Sequence, residues 1–190
     1  MQRCPWCGTD PLYVAYHDHE WGSPVHEEAR HFEFLLLETQ QAGLSWITIL
    51  RKREAYRKAF AGFDAGKVAA FGAKRIDKLL VDPGIVRNRR KIEAAVGNAR
   101  AFLRVQEEWE GFDPYIWHFT EGRSVNAARK SPREVPATTT LSDIVAKDLK
   151  GRGFAFIGST TIYAHLQAIG VVNDHLVDCF RWAELGAISS

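Results

Sequence analysis

Leu149-Lys150-Gly151-Arg152-Gly153-Phe154-Ala155-Phe156-Ile157-Gly158-Ser159-Thr160-Thr161 joins two segments of helical periodicity. It reads as a tight hairpin between two helices, bounded by glycines with apolar residues between them. Gly153 and Gly158 allow backbone conformations, or a close approach, that a side chain would block. The helix after the hairpin is expected to begin at Ser159. Its free amides would then point outward toward a phosphate, assisted by the helix dipole. Lys150 and Arg152 add positive charge nearby. From these residues alone, an ordinary corner between helices would read the same way. A second turn, Gly84-Ile85-Val86-Arg87-Asn88-Arg89-Arg90-Lys91, carries four cations, with a solvated helix face as its alternative. Two turns with cations in one small chain make a nucleic-acid backbone a sensible partner.

Outward from the hairpin, apolar residues recur mainly at helical spacing. Phe32, Leu35, Leu36 and Thr39 share one face of a helix over about residues 28–41. Ser45 is the expected cap of the next helix, residues 46–60. Further helices are expected near 65–71, 73–81, 87–106, 112–118, 142–150, 159–168 and 173–182. Pro83-Gly84 marks a turn, and the polar residues 120–140 read as a loop. Strict alternation is confined to short pieces such as residues 13–16. The fold class is therefore all-α. The chain of 190 residues, 46% hydrophobic, suits one unit with a core that needs no disulfides. Residues 26–170 would form the helical body, with the hairpin at 151–159. Residues 1–25 and 171–190 would meet beside it.

Several function classes are excluded. Apolar runs are too short to span a bilayer, so no membrane partner is expected. MQRCPWCGTD has no apolar signal region. Three cysteines in such a chain suit a reducing, cytoplasmic setting. Lys and Arg number 25 against 23 Asp and Glu, which excludes a polycation but permits a local basic face. No glycine-rich fingerprint follows a strand and no phosphate-loop lysine motif occurs, so no nucleotide cofactor is expected.

Cys4, Cys7, His17, His19, His175 and Cys179 gather at the two ends of the chain. His175 and Cys179 are four apart, so on a helix they would stack on one face and supply half of a tetrahedral zinc site. On spacing, Cys4 with Cys7 is the strongest candidate for the other half, and Cys4 with His17 the second. Four protein ligands would make the zinc structural, one ion per chain, with no open position for water. The first quarter of the chain also holds Trp6, Tyr13, Tyr16, Trp21 and Trp46. Glu38 falls on the side of Leu35 and Ala42 rather than on a polar face. A carboxylate among apolar and aromatic groups is a candidate for a perturbed pKa or a cationic ligand. A core cluster beside a surface glutamate is the alternative.

These residues carry a resemblance. Asp10-Pro11-Leu12-Tyr13, Tyr16-His17-Asp18, Glu20-Trp21-Gly22, Glu38 with Gln40-Gln41-Ala42-Gly43-Leu44-Ser45-Trp46, Gly84-Ile85 with Arg87, and Gly153-Phe154 with Phe156, Gly158 and Val172-Asn173-Asp174-His175 together resemble the bacterial 3-methyladenine DNA glycosylase I family. The resemblance covers nearly the whole chain. It implies an all-α helix-hairpin-helix glycosylase with a zinc-stapled lobe joining the termini. It implies hydrolysis of the N-glycosidic bond of N3-methyladenine in alkylated double-stranded DNA by a monomer. It implies zinc on Cys4, His17, His175 and Cys179, with Cys7 outside the set. It also implies a base pocket of Trp6, Tyr13, Tyr16 and Trp46, with Glu38 contacting the base as the catalytic carboxylate. The hairpin Gly153 to Gly158 would hold the DNA backbone, with Arg87 as a further contact, and the loop Gln41 to Leu44, with Gly43 and Leu44 meeting DNA, would form the wedge that replaces the flipped nucleotide. An Asn, Asn173, stands where related glycosylases carry a catalytic Asp. The competing reading is a non-catalytic, zinc-stapled DNA-binding module, which would have no use for a buried Glu38.

Overall fold

A computed structural model describes residues 1–188. The order is α1 (Pro11–His19), α2 (Glu28–Gln41), α3 (Trp46–Ala59), α4 (Ala65–Ala69), α5 (Ala73–Leu80), α6 (Arg89–Trp109), α7 (Phe112–His118), β1 (Val125–Asn126), α8 (Thr140–Gly151), α9 (Ser159–Ala168), β2 (Val172–Asn173) and α10 (Phe180–Ile188). The class is all-α, with one two-residue parallel ladder pairing Val125 with Val172. No helix among the described residues is long and apolar enough to cross a membrane.

Local chemistry sets the helix ends. Asp10 accepts from the amides of Leu12 and Tyr13, and Pro11 pre-sets the first turn, so the alternating piece at 13–16 is in fact the middle of α1. Asn88 caps α6 through the Lys91 amide, which starts that helix two residues after the expected point. Thr139 and Ser142 form a reciprocal capping box on α8. Helix α2 runs through the centre, buried from His31 to Gln40. Phe32 meets Phe102 of α6 at 5.2 Å between ring centroids, and Phe102 stacks on Phe112 at 4.4 Å. Each such side chain contributes about 1.5–3 kcal/mol by leaving water.

The hairpin after α8 is anchored by its own apolar residues. Phe154 and Ile157 are buried in the core, while Phe156 stays exposed at the tip. Gly153 has φ +91°, a conformation that favours glycine. Gly158 has an ordinary φ of −70°, and a Cβ there would meet nothing, so only the approach of something from outside needs it bare.

Two expectations fail near the C-terminus. Residues 173–182 do not form one helix. Asn173 instead lies in β2, and its side chain accepts from the His175 amide at 3.3 Å, bending the chain. A turn follows, closed by the Cys179 amide on the Leu176 carbonyl, and the Phe180 amide then reaches Gln2 at 3.1 Å. The expected 120–140 loop supplies the partner strand β1. Tertiary pairing overrides the helical spacing here. The ends of the chain do meet: Cys4, Leu176 and Cys179 form a small second core. Ser189 and Ser190 of the expected terminal segment lie outside the described residues.

Candidate active site and metal centre

Helix α1 carries His17, the N-terminal segment carries Cys4, and the turn before α10 carries His175 and Cys179. Their ligand atoms all lie within 4.8 Å of one another, and all four residues are buried. Cys179 Sγ is 3.4 Å from His17 Nε2 and 3.5 Å from His175 Nδ1, and Cys4 Sγ is 3.5 Å from His175 Nδ1. A tetrahedron with ordinary Zn–S and Zn–N bonds has S···N edges of about 3.5 Å, so the cluster already has the size of a zinc site. Burial lowers the pKa of both imidazoles, His175 to about 4, which keeps them neutral as ligands must be. Burial pushes the Cys4 thiol up to about 12, and binding a metal requires the thiolate.

Outer partners orient the rings. His17 Nδ1 lies 2.8 Å from Asp18, and His175 Nε2 lies 3.0 Å from the Trp21 carbonyl. Hydrogen bonds from Arg3 hold the Asp18 carboxyl at about 2. The first spacing candidate is corrected: the Cys7 thiol turns to the Cys4 carbonyl at 3.2 Å, and His17 takes the corner that Cys7 was expected to fill. The i, i+4 relation of His175 and Cys179 is likewise a turn, not a helix.

Beside the cluster opens a cavity of about 390 Å³ lined by Trp6, Tyr13, Tyr16, Glu38 and Trp46. Trp21 and Gln41 line it too. The volume is that of a small-molecule pocket. Trp6, which is exposed, packs 5.0 Å from Tyr13 and 4.9 Å from Trp21. Tyr16 lies deeper, 5.6 Å from Trp46. Glu38 is buried, and its Oε2 has no hydrogen-bond partner among the described residues; Trp46 Nε1 is in the same state. Burial alone raises the Glu38 carboxyl to about 8. Buried polar atoms are nearly always paired, so two unpaired ones in one pocket wall mark a place where an occupant supplies the partners.

Sequence reasoning missed Asp174, which lines the same cavity. It accepts from Gln167 at 2.7 Å, from Arg129 at 3.4 Å and from the Tyr163 hydroxyl. Its neighbour Asn173 does not line the cavity; its amide donates to the Trp182 carbonyl and braces the metal lobe.

Of the elements expected to meet a polymer, the turn at Gly43 and Leu44 follows Gln41, which lines the pocket. Gly43 has φ +80° and Leu44 is 40% exposed, in a turn closed by the Leu44 amide on Gln41. Arg87 and Arg90 are exposed and form no ion pair among the described residues. The other two cations of that run are spoken for: Arg89 pairs with Asp77 and Glu93, and Lys91 is buried. Arg152, by the hairpin, is likewise neutralised by Asp148 and Glu108.

A model of the methyladenine glycosylase family matches residues 6–182. DNA-3-methyladenine glycosylase 1 of Escherichia coli K12 is 48% identical over 94% of this chain and 96% of its own length. DNA-3-methyladenine glycosylase of Haemophilus influenzae is 47% identical over 93% and 96%. The crystal structure of a tyrosine-to-phenylalanine variant of 3-methyladenine DNA glycosylase I, in complex with 3-methyladenine, superposes with a TM-score of 0.92 at 37% identity, covering 95% of this chain and 97% of that one.

Proposed function

Because the chain belongs to the methyladenine glycosylase family, we propose that its aromatic pocket receives N3-methyladenine turned out of alkylated duplex DNA. The protein is a monofunctional DNA-3-methyladenine glycosylase. It hydrolyses the N-glycosidic bond and leaves an abasic site, the opening step of base excision repair. The observation that carries the assignment of the pocket is Glu38, buried and unpaired among Tyr16, Trp46 and Trp6.

N3-methylation makes the base cationic and its glycosidic bond weak. Little acid catalysis is then needed. The enzyme must extrude the base, which costs a few kcal/mol and less for a damaged pair. It must also stabilise positive charge as it builds on the sugar. Glu38 accepts a hydrogen bond from the exocyclic amine of adenine, where guanine would present an acceptor and be repelled. In the empty pocket, burial keeps Glu38 protonated up to about pH 8. A cation between the rings favours the ionised form, so the pocket gains its counter-charge as the substrate enters. Trp6, Tyr13, Tyr16 and Trp46 provide the faces on which the base stacks.

Cys4, His17, His175 and Cys179 would hold one structural zinc per chain, which supplies folding energy and no reactive water. His17 shares α1 with Tyr13 and Tyr16, so the staple also fixes two walls of the pocket. Gly153, Gly158 and Arg87 meet the DNA backbone, and Gly43 and Leu44 form the wedge. The reading places a monomer on chromosomal DNA in the cytoplasm. Incubation with alkylated duplex and identification of the released base tests it. Release of N3-methyladenine is expected; DNA binding without any released base would leave only a binding module.

A further inference from the structure

Helix α6 touches the wedge turn and the hairpin through two buried polar side chains on one face. Lys91, in its first turn, sends Nζ to the carbonyls of Gln40 at 2.8 Å and Ala42 at 2.7 Å, two of the last three carbonyls before Gly43 and Leu44. No carboxylate among the described residues pairs with it. Gln40 answers by donating to the Lys91 carbonyl at 3.1 Å. A helix C-terminus carries unpaired carbonyls and partial negative charge, so an ammonium there is a strong clamp. Asn98 is paired reciprocally with the hairpin: its amide donates to the Ala155 carbonyl at 3.0 Å, and its Oδ1 accepts from the Ala155 amide at 2.8 Å. Seven residues separate Lys91 from Asn98. That is close to two full turns, so they share a face about 10 Å apart. Neither residue lines the pocket.

We propose that Lys91 and Asn98 are positioning residues through which α6 fixes the separation of the wedge turn from the hairpin, so that grip on the backbone and wedging of the base step occur in register. This rests on the reading of both elements as DNA contacts. A rigid spacer is what the task requires, because a displacement of about 1 Å in a positioned group can cost on the order of 100-fold in rate.

The test uses the full chain with Lys91→Met and Asn98→Leu, which keep bulk and remove the clamps. Binding of free 3-methyladenine, read by tryptophan quenching, counts intact pockets and normalises every other measurement, so unfolded molecules drop out. With Lys91→Met, excision at saturating enzyme on duplex is expected to fall about tenfold, the factor equal to about 1.4 kcal/mol of barrier. Binding to undamaged duplex should stay unchanged. With Asn98→Leu the split reverses: duplex binding weakens and the saturating rate holds. Leu44→Ala and Gly158→Asp strike the two DNA elements directly. If those two change nothing, the reading of the contacts fails and takes the proposal with it. If they act while both α6 variants match wild type, α6 alone is overturned. Loss of free-base affinity in parallel with excision would also overturn it, since that is general damage. Should either variant not fold, Lys91→Gln and Asn98→Asp each keep part of the pairing and should show the same split at smaller size.

Discussion

Glu38 Oε2 and Trp46 Nε1 are buried in the wall of one pocket, and both lack a hydrogen-bond partner among the described residues. One can accept and the other can only donate, so an occupant with an exocyclic amine and a ring acceptor suits the pair. Glu38→Ala removes the acceptor, and base binding should weaken by roughly 1–3 kcal/mol, with excision falling at least as far. Glu38→Gln keeps a carbonyl acceptor and loses the charge. Binding of neutral free base should then fall modestly and excision more. Single-turnover excision and quenching of the pocket tryptophans measure the two. If Glu38→Ala leaves both within twofold of wild type, Glu38 is a bystander.

The Glu38 carboxyl also gives a pH signature with a definite sign. Its pKa rises from 4.5 to about 8 on folding. The folded protein therefore holds a proton that the unfolded chain has lost over that window. Its contribution to stability is full below about pH 4.5 and is lost as pH rises through about 8. Glu38→Gln should accordingly gain on wild type in urea unfolding at pH 9 by a few kcal/mol more than at pH 5, at about 1.4 kcal/mol per pK unit. Excision by the wild type at subsaturating enzyme, which reports the free protein, should rise toward pH 8 as the carboxylate forms, and that limb should vanish in Glu38→Gln. A parallel pH dependence in the two proteins would assign the titration to another group.

The metal staple makes a prediction about cysteine identity. Metal analysis should find about one zinc per chain, the stoichiometry of a single four-ligand site. Cys4→Ser and Cys179→Ser should lose zinc and much of the stability, since metal binding here is folding energy. Cys7→Ser should keep its zinc, because that thiol faces the Cys4 carbonyl. Zinc loss in Cys7→Ser with retention in His17→Ala would reverse the assignment.

Much of this site was legible because helical spacing reports faces: Glu38 fell with Leu35, and it is buried there. The four residues of the metal-ligating cluster were legible by type, but their local structure was not. The four-residue step of His175 and Cys179 fits a helix as well as a turn, and what selects the turn is a ladder with residues some fifty positions earlier and a bond to Gln2. Lys91 was counted among the surface cations, although Lys91, Ala95, Asn98 and Phe102 share one stripe and all are buried. That spacing was the available signal. Asp174 gave none, since only folding brings Arg129, Tyr163 and Gln167 around it.

Glycosylases that also cut the strand need an amine to form a Schiff base at the sugar. The start of α9 reads Ser159-Thr160-Thr161, and no lysine lines the pocket. Borohydride added during turnover should therefore trap no covalent complex between protein and DNA. A stable adduct that depends on alkylated DNA would contradict strictly hydrolytic chemistry.

The cation run 87–91 separates into residues that differ in availability. Arg87 is exposed and forms no ion pair among the described residues, whereas Arg89 is held by Asp77 at 2.8 Å and by Glu93 at 3.4 Å. A phosphate contact releases counterions, so each one lost lowers the slope of log affinity against log salt by about one. Arg87→Ala should reduce the slope by roughly that amount on any duplex, damaged or not, because backbone contacts carry no base information. Arg89→Ala should leave the slope near wild type, since an arginine already neutralised by two carboxylates displaces few counterions. Binding isotherms on an undamaged duplex at several salt concentrations decide between them. An unchanged slope for Arg87→Ala would place that side chain on a solvated face, and the basic turn would then contribute to shape rather than to grip.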